Sequence, residues 1–273
     1  MDIGISELQY SDHDLSSREV LMNIIEELIK MKPHLAEPLR FYEKAAGFMD
    51  SAKEFTTAIG PAQTSYSPDI VERIVDIFSH ALELPEGSLS PLKHALELGE
   101  IDFTRLPLHE VPAFSLPYAE EDLTMLLFLV SRPFFTALAK AFKLNGTIWE
   151  EGKCPVCYAQ PSLSSLTRDG RMQIYCSFCG TYGLVPRAQC PLCRNQDPVL
   201  LNIFTFTGEE DFSVQTCDAC KSYVKNVELE VLSRFGPDLA DLMSLPLDMV
   251  IQQKRYRRRS PNPIGMIAMS GRG

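Results

Sequence analysis

Leu21, Ile24, Ile25, Leu28 and Met31 recur at intervals of three and four residues, the period of a helix with one apolar face, and Pro33 ends the run. Phe41, Tyr42, Ala45, Phe48, Met49, Ala52 and Phe55 continue the same period, which predicts a second helix from near Pro38 to just before Gly60-Pro61. Ser67-Pro68-Asp69 reads as an N-cap followed by proline in the first turn, and Ile70, Val71, Ile74, Val75, Phe78, Ala81 and Leu82 follow it. Ser90-Pro91 repeats that start for a shorter helix ending at Gly99. Glu120, Glu121 and Asp122 place negative charge where a helix dipole favours it, and the helix they open runs through Met125–Val130. Pro133 is expected to kink or split it before Phe134–Leu144. These stripes read as the core of a helical bundle rather than as cofactor pockets.

Beyond residue 150 the period changes. Met172–Tyr175, Val199–Phe206 and Phe212–Thr216 are short strand-like runs. Asp169-Gly170 is a two-residue hairpin signal, and Thr207-Gly208-Glu209-Glu210 a second turn. Leu239, Leu242, Met243, Leu245, Leu247 and Met249 predict a closing helix, bent or restarted at Pro246.

The chain of 273 residues is long enough for one large or two smaller domains. Its net charge of −10 argues against broad nucleic-acid binding, which depends on neutralising phosphates. Lys254, Arg255, Arg257, Arg258 and Arg259 depart from that balance and precede Pro261-Asn262-Pro263, a pattern read as a solvated, disordered basic tail. The start of the chain carries no secretory pattern, and the longest purely apolar run is Met125 to Val130. Membrane insertion is therefore not expected, and a cytoplasmic location, where thiols stay reduced, is.

That expectation bears on the cysteines. Residues 1–153 contain none, and all eight fall in four CxxC pairs: Cys154/Cys157, Cys176/Cys179, Cys190/Cys193 and Cys217/Cys220. Two such turns supply four thiolates to one tetrahedral ion and leave no open position. CPVC at 154–157 and CPLC at 190–193 are near copies, each followed by a hairpin and a second pair. A hairpin brings its ends together, so Cys154, Cys157, Cys176 and Cys179 are assigned to one site and Cys190, Cys193, Cys217 and Cys220 to another; interleaved pairing is the alternative. Four thiolates suit zinc and iron alike. His13, His34, His80, His94 and His109 lie away from the cysteines, and no phosphate loop, HExxH or nucleophile elbow is present, so a binding protein is expected rather than an enzyme.

Four stretches resemble the formate dehydrogenase accessory proteins called FdhE: W-x3-K-CPVC at 149–157, YCSFCGTY at 175–182, R-x2-CPLC at 187–193 and TCDACKSYVK at 216–225. DLADLMSLPLDMVIQQKRY is similar to that family's closing helix. The resemblance implies an α+β chain: a helical domain over 1–148, rubredoxin-like modules over 149–187 and 188–230, a closing helix over 231–253 and the basic tail over 254–273. It implies a cytoplasmic maturation factor that binds the catalytic subunit of a formate dehydrogenase and oxidises no formate itself. Client contacts are expected where the bundle meets the modules, with Asp218 and Lys221 of the last motif as candidates. The chain departs from the family in one respect. The family often has glycine after the second cysteine of each pair, where the left-handed backbone suits it; here only Gly180 does, and Tyr158, Arg194 and Lys221 fill the other positions. The rival readings are a zinc-ribbon nucleic-acid-binding protein and a rubredoxin-like electron carrier.

Overall fold

The computed structural model describes residues 18–56, 67–101 and 116–268. The apolar stripes form helices α1 (Arg18–Met31), α2 (Ala36–Thr56), α3 (Pro68–Ala81), α4 (Ser90–Glu97) and α5 (Glu120–Phe142). The expected end of α2 before Gly60-Pro61 lies outside the described residues, as do His13 and His109. Ser67 caps α3 with extended backbone, and its carbonyl accepts from the Ile70 and Val71 N–H groups at 3.0 and 3.2 Å, while its hydroxyl makes no capping bond.

Pro133 does not split α5. Burial of the stretch from Leu123 to Phe135 outweighs the one donor the proline removes. Among the described residues α5 is the one helix long and apolar enough to cross a membrane, which the count of uninterrupted apolar residues did not reveal. More than half of that stretch is buried inside the protein, and its Leu127, Phe128 and Val130 sit in the core beside Phe48 and Phe78.

The cysteine half supplies β1 (Thr147–Ile148), β2 (Leu163–Leu166), β3 (Met172–Tyr175), β4 (Tyr182–Val185), β5 (Leu201–Thr205), β6 (Phe212–Cys217) and β7 (Ser222–Val227). Both expected turns are formed. Gly170, at φ 78°, closes the β2–β3 hairpin, and Gly208, at φ 84°, lies in the β5–β6 turn. The two antiparallel units, β2–β3–β4 and β5–β6–β7, fuse into one sheet of order β1-β4-β3-β2-β7-β6-β5. The join is parallel, with Leu163 beside Lys225 and Ser164 beside Asn226. Helices α6 (Leu229–Met243) and α7 (Leu245–Gln253) close the fold. Pro246 lies in the first turn of α7, and a break the sequence reading did not expect sits at Gly236, whose φ of 75° is followed by Pro237.

Helices and modules share their cores. Phe178, between Cys176 and Cys179, packs against Phe128 and Phe135 of α5 with ring centroids 5.2 and 4.7 Å apart. Ile25, Leu28 and Leu39 join a second cluster with Val214, Leu232 and Ile251.

The expectation of a disordered tail is corrected over 254–268. The Arg257 N–H donates to Lys221 O at 2.8 Å, Ser177 Oγ donates to Pro261 O at 2.7 Å, and Ser260, Asn262 and Ile264 are buried. A run of positive charge reads as solvated only while its buried carboxylate partners, 17 and 10 residues earlier on the closing helices, are unseen.

Candidate metal centres

Each CxxC turn bends back on itself through one residue of left-handed backbone. The φ values are 59° at Tyr158, 78° at Gly180, 63° at Arg194 and 52° at Lys221. The three non-glycine residues therefore adopt the geometry glycine would have eased. Three of the turns share one bond: Tyr158 N–H donates to Cys154 O at 2.9 Å, Gly180 N–H to Cys176 O at 3.1 Å, and Arg194 N–H to Cys190 O at 2.9 Å.

The hairpins bring the cysteines into two groups, Cys154, Cys157, Cys176 and Cys179 in one and Cys190, Cys193, Cys217 and Cys220 in the other. In the first, Cys154 and Cys179 sulfurs lie 3.4 Å apart, as do those of Cys157 and Cys176. In the second, Cys190–Cys220 is 3.9 Å and Cys193–Cys217 is 3.7 Å. A tetrahedron with metal–sulfur bonds of about 2.3 Å has edges of about 3.8 Å, so both groups match a closed four-thiolate site. Leu192 N–H, 3.4 Å from Cys190 Sγ, and Thr181 Oγ1, 3.1 Å from Cys179 Sγ, add polar support to the sulfurs.

Within each group the crowded thiols differ in acidity. Hydrogen bonds from Cys157 first, then Cys176 and Cys179, hold the Cys154 thiol far below its ordinary range, while burial pushes Cys157 and Cys176 well above it. In the second group the contact with Cys190 lowers Cys220 to about 5, and the same contact, with burial, raises Cys190. Crowded thiols divide the charge unequally because only a bound cation offsets four thiolates together. The first group is buried throughout; in the second Cys193 is exposed and Cys220 half-buried.

The candidates Asp218 and Lys221 sit in the last turn and pair with each other. Asp218 also accepts from Tyr256 OH and Asn202 Nδ2, both at 3.0 Å. These bonds tie the knuckle to β5 and to the segment after α7. The junction of bundle and modules holds a cleft of about 390 Å³, lined by Tyr42, Gly47, Arg132, Gly180 and Gly236.

Two polar clusters escaped the sequence reading. Arg132 ion-pairs with Asp238 at 2.5 Å and donates to Phe178 O and Pro263 O, both at 3.3 Å, while Tyr42 OH donates to Asp238 at 3.0 Å. Lys225, Asp241, Asp248 and Arg258 form a buried quartet. Lys225 Nζ lies 2.6 Å from a carboxylate oxygen of each aspartate, and Arg258 lies 2.5 Å from Asp241 and 3.2 Å from Asp248. Tyr223 OH adds a bond of 2.7 Å to Asp248. The available signal was an aspartate set among the leucines of each closing helix and a lysine inside Tyr-Val-Lys.

A helical bundle closed onto two fused four-cysteine modules defines a protein with two cysteine groups, each of which could hold a metal ion. Residues 188–264 match the family model described as FdhE, C-terminal domain. A protein named Protein FdhE homolog from Aquifex aeolicus is 32% identical over 144 residues, 50% of this chain and 51% of that protein. Protein FdhE from Escherichia coli is 31% identical over 114 residues, 40% of this chain and 36% of that one. The matches thus span about half the length of these curated relatives or less. The crystal structure of the FdhE protein from Pseudomonas aeruginosa superimposes with a TM-score of 0.62 at 19% identity, covering 93% of this chain and 98% of that one, and so shares its fold. Residues 188–264 are thus similar to the FdhE C-terminal domain, and the chain as a whole shares the fold of the FdhE crystal structure.

Proposed function

We propose that this protein is a cytoplasmic accessory factor that binds the catalytic subunit of a formate dehydrogenase during its maturation, and that it catalyses no reaction itself. The observation that carries the reading is the FdhE C-terminal match over 188–264, which contains the second cysteine group and every member of the buried quartet. Each cysteine group holds one ion, zinc or iron, through four thiolates. Such a closed site stabilises the fold and leaves no position for substrate. Asp218 and Lys221, on the surface beside the start of β5, are candidate client contacts. Deleting the gene in its native host should abolish or strongly reduce formate dehydrogenase activity while the catalytic subunit is still synthesised. Full activity in a deletion strain without a second copy of the gene would refute the proposal.

A further inference from the structure

The internal repeat places β2 and β5 in equivalent positions. Leu163 faces Tyr175, just before Cys176, and Asn202 faces Thr216, just before Cys217. Ser162 and Ser164 thus correspond to Leu201 and Ile203. The outer edge of β2 is filled by β7, whose Lys225 N–H donates to Ser162 O at 3.3 Å. The outer edge of β5 carries no strand among the described residues.

The register says which groups that edge presents. Asp218 N–H donates to Leu200 O at 2.8 Å, which sets Leu200, Asn202 and Phe204 in the positions bonded toward β6. The N–H and C=O groups of Ile203 and Thr205 and the C=O of Leu201 then face outward, as the C=O of Ser162 does in β2; the Leu201 N–H is taken by Pro198 O. An unpaired row of donors and acceptors is a template for an extended polypeptide. Apolar side chains lie beside it, among polar ones that include Arg187 and Gln196. Ile203 is 70% exposed and Val199 81%, and Ile203 lines a trough of about 830 Å³ along the sheet face with Leu166 and Leu201. The end of the trough nearest Thr205 is acidic. Glu210, Asp211 and Glu228 line it, and none of them forms an ion pair among the described residues.

We propose that the β5 edge receives an extended segment of the client polypeptide as an added strand, its alternate apolar side chains on the trough and its basic residues against Glu210, Asp211 and Glu228. The proposal deepens, and rests on, the reading of this protein as a client-binding factor. A second copy fits the edge less well. By the repeat, the strand equivalent to β7 is β4, and its outer edge is already covered by β1. Antiparallel pairing of two β5 strands about Ile203 would set Asp197 of each copy against the acidic turn of the other.

The test uses Ile203→Pro in the full chain. Proline there removes only an outward N–H, so the hairpin bonds of β5 to β6 are kept. Ile203→Thr retains the N–H and serves as the control. Binding is measured to the purified formate dehydrogenase catalytic subunit and to short synthetic peptides of alternating apolar residues ending in Lys or Arg. With metal content and circular dichroism unchanged, Ile203→Pro should weaken binding of both probes at least tenfold, and Ile203→Thr much less. Glu210→Lys combined with Asp211→Lys should weaken the peptides further at low salt. In the wild-type complex the amide of Ile203 should be protected from hydrogen exchange. If Ile203→Pro binds the subunit as the wild type does, the edge proposal falls and the client reading stands. If the wild type binds the peptides through the edge but not the subunit, the client reading falls instead. If neither probe binds, or if the wild type dimerises and Ile203→Pro does not, the proposed occupant is wrong.

Discussion

Arg258→Met removes one cation from the quartet and keeps most of the side chain's apolar stem. Lys225 is then left between two buried carboxylates, with Asp241 and Asp248 accessible to 1% and 0%. Arg258 Nη1 and Nη2 reach both aspartates, and Nε donates to Ser260 O at 2.7 Å, so the loss covers an ion-pair partner and several charge-assisted bonds. Breaking a buried pair from one side costs about 3–5 kcal/mol. At about 2–4 °C per kcal/mol for a chain of this class, the midpoint of thermal unfolding should fall by about 6–20 °C. The variant should also lose less stability than the wild type on acidification through the Asp241 range. Burial would raise the Asp241 pKa, but Arg258 and then Lys225 outweigh it and hold the carboxyl below its ordinary range. A depressed folded pKa contributes stability that is complete above the unfolded value, about 3.9, and is lost as pH falls through the folded one. Without Arg258 the depression shrinks, so less stability should be lost from Asp241 on acidification. Adding Asp241→Asn removes the surplus negative charge and should recover much of the stability. Denaturant unfolding of the two variants at neutral pH and under mild acid measures all of this. A single-variant loss under about 1 kcal/mol, or a double variant less stable than the single one, would show that the quartet does not carry the energy assigned to it.

Elemental analysis of protein purified reduced and without chelator should find two metal ions per chain, and Cys176→Ser and Cys217→Ser should each lose one. Cys176→Ser should also loosen the helices, because Phe178 and the first cysteine group share the core of α5; Cys217→Ser, in the smaller cluster with Leu192 and Val224, should leave the helical signal in circular dichroism nearly intact. Arg194→Gly should raise stability by about 1 kcal/mol by relieving left-handed strain at φ 63°, and a measured decrease would mean that the Arg194 side chain supports the turn. Gly183→Ala should cost several kcal/mol or prevent accumulation of folded protein, since a Cβ there would lie 1.9 Å from Trp149 Nε1 and 2.8 Å from Thr147 O; wild-type thermal stability would contradict the close approach of β1 to β4.

The features legible in the sequence are those set by neighbours along the chain. The stripes from Leu21 to Phe78 become α1 to α3, and Asp169-Gly170 makes its hairpin. β2 and β4 were missed because Leu-Ser-Ser-Leu and Tyr-Gly-Leu-Val are too short and too polar or flexible to show a strand period. The parallel join of β2 to β7 leaves no local trace at all. The metal ligands were readable because CxxC is a local motif; the quartet was not, because its members come from β7, α6, α7 and the segment beyond. The basic run misled for the same reason: it is defined by its neighbours in sequence, and Arg258 by carboxylates elsewhere.

The segment from Arg257 to Pro263 bonds to both cysteine modules and to α5, α6 and α7. Arg259 donates to Cys220 O at 3.0 Å, Ser260 bonds Gln160 O, and Pro261 O receives Ser177 Oγ. Everything it fastens is made earlier on the ribosome, where elements fold as they emerge. Until these residues arrive, Asp241 and Asp248 share one lysine, and one turn of each cysteine group lacks its strap. Closure therefore follows synthesis of every element the strap fastens, and a chain interrupted before it lacks those bonds. A chain stopped at Gln253 should be cut rapidly by protease at concentrations that leave the full chain whole, and a synthetic peptide spanning 254–268 should restore resistance.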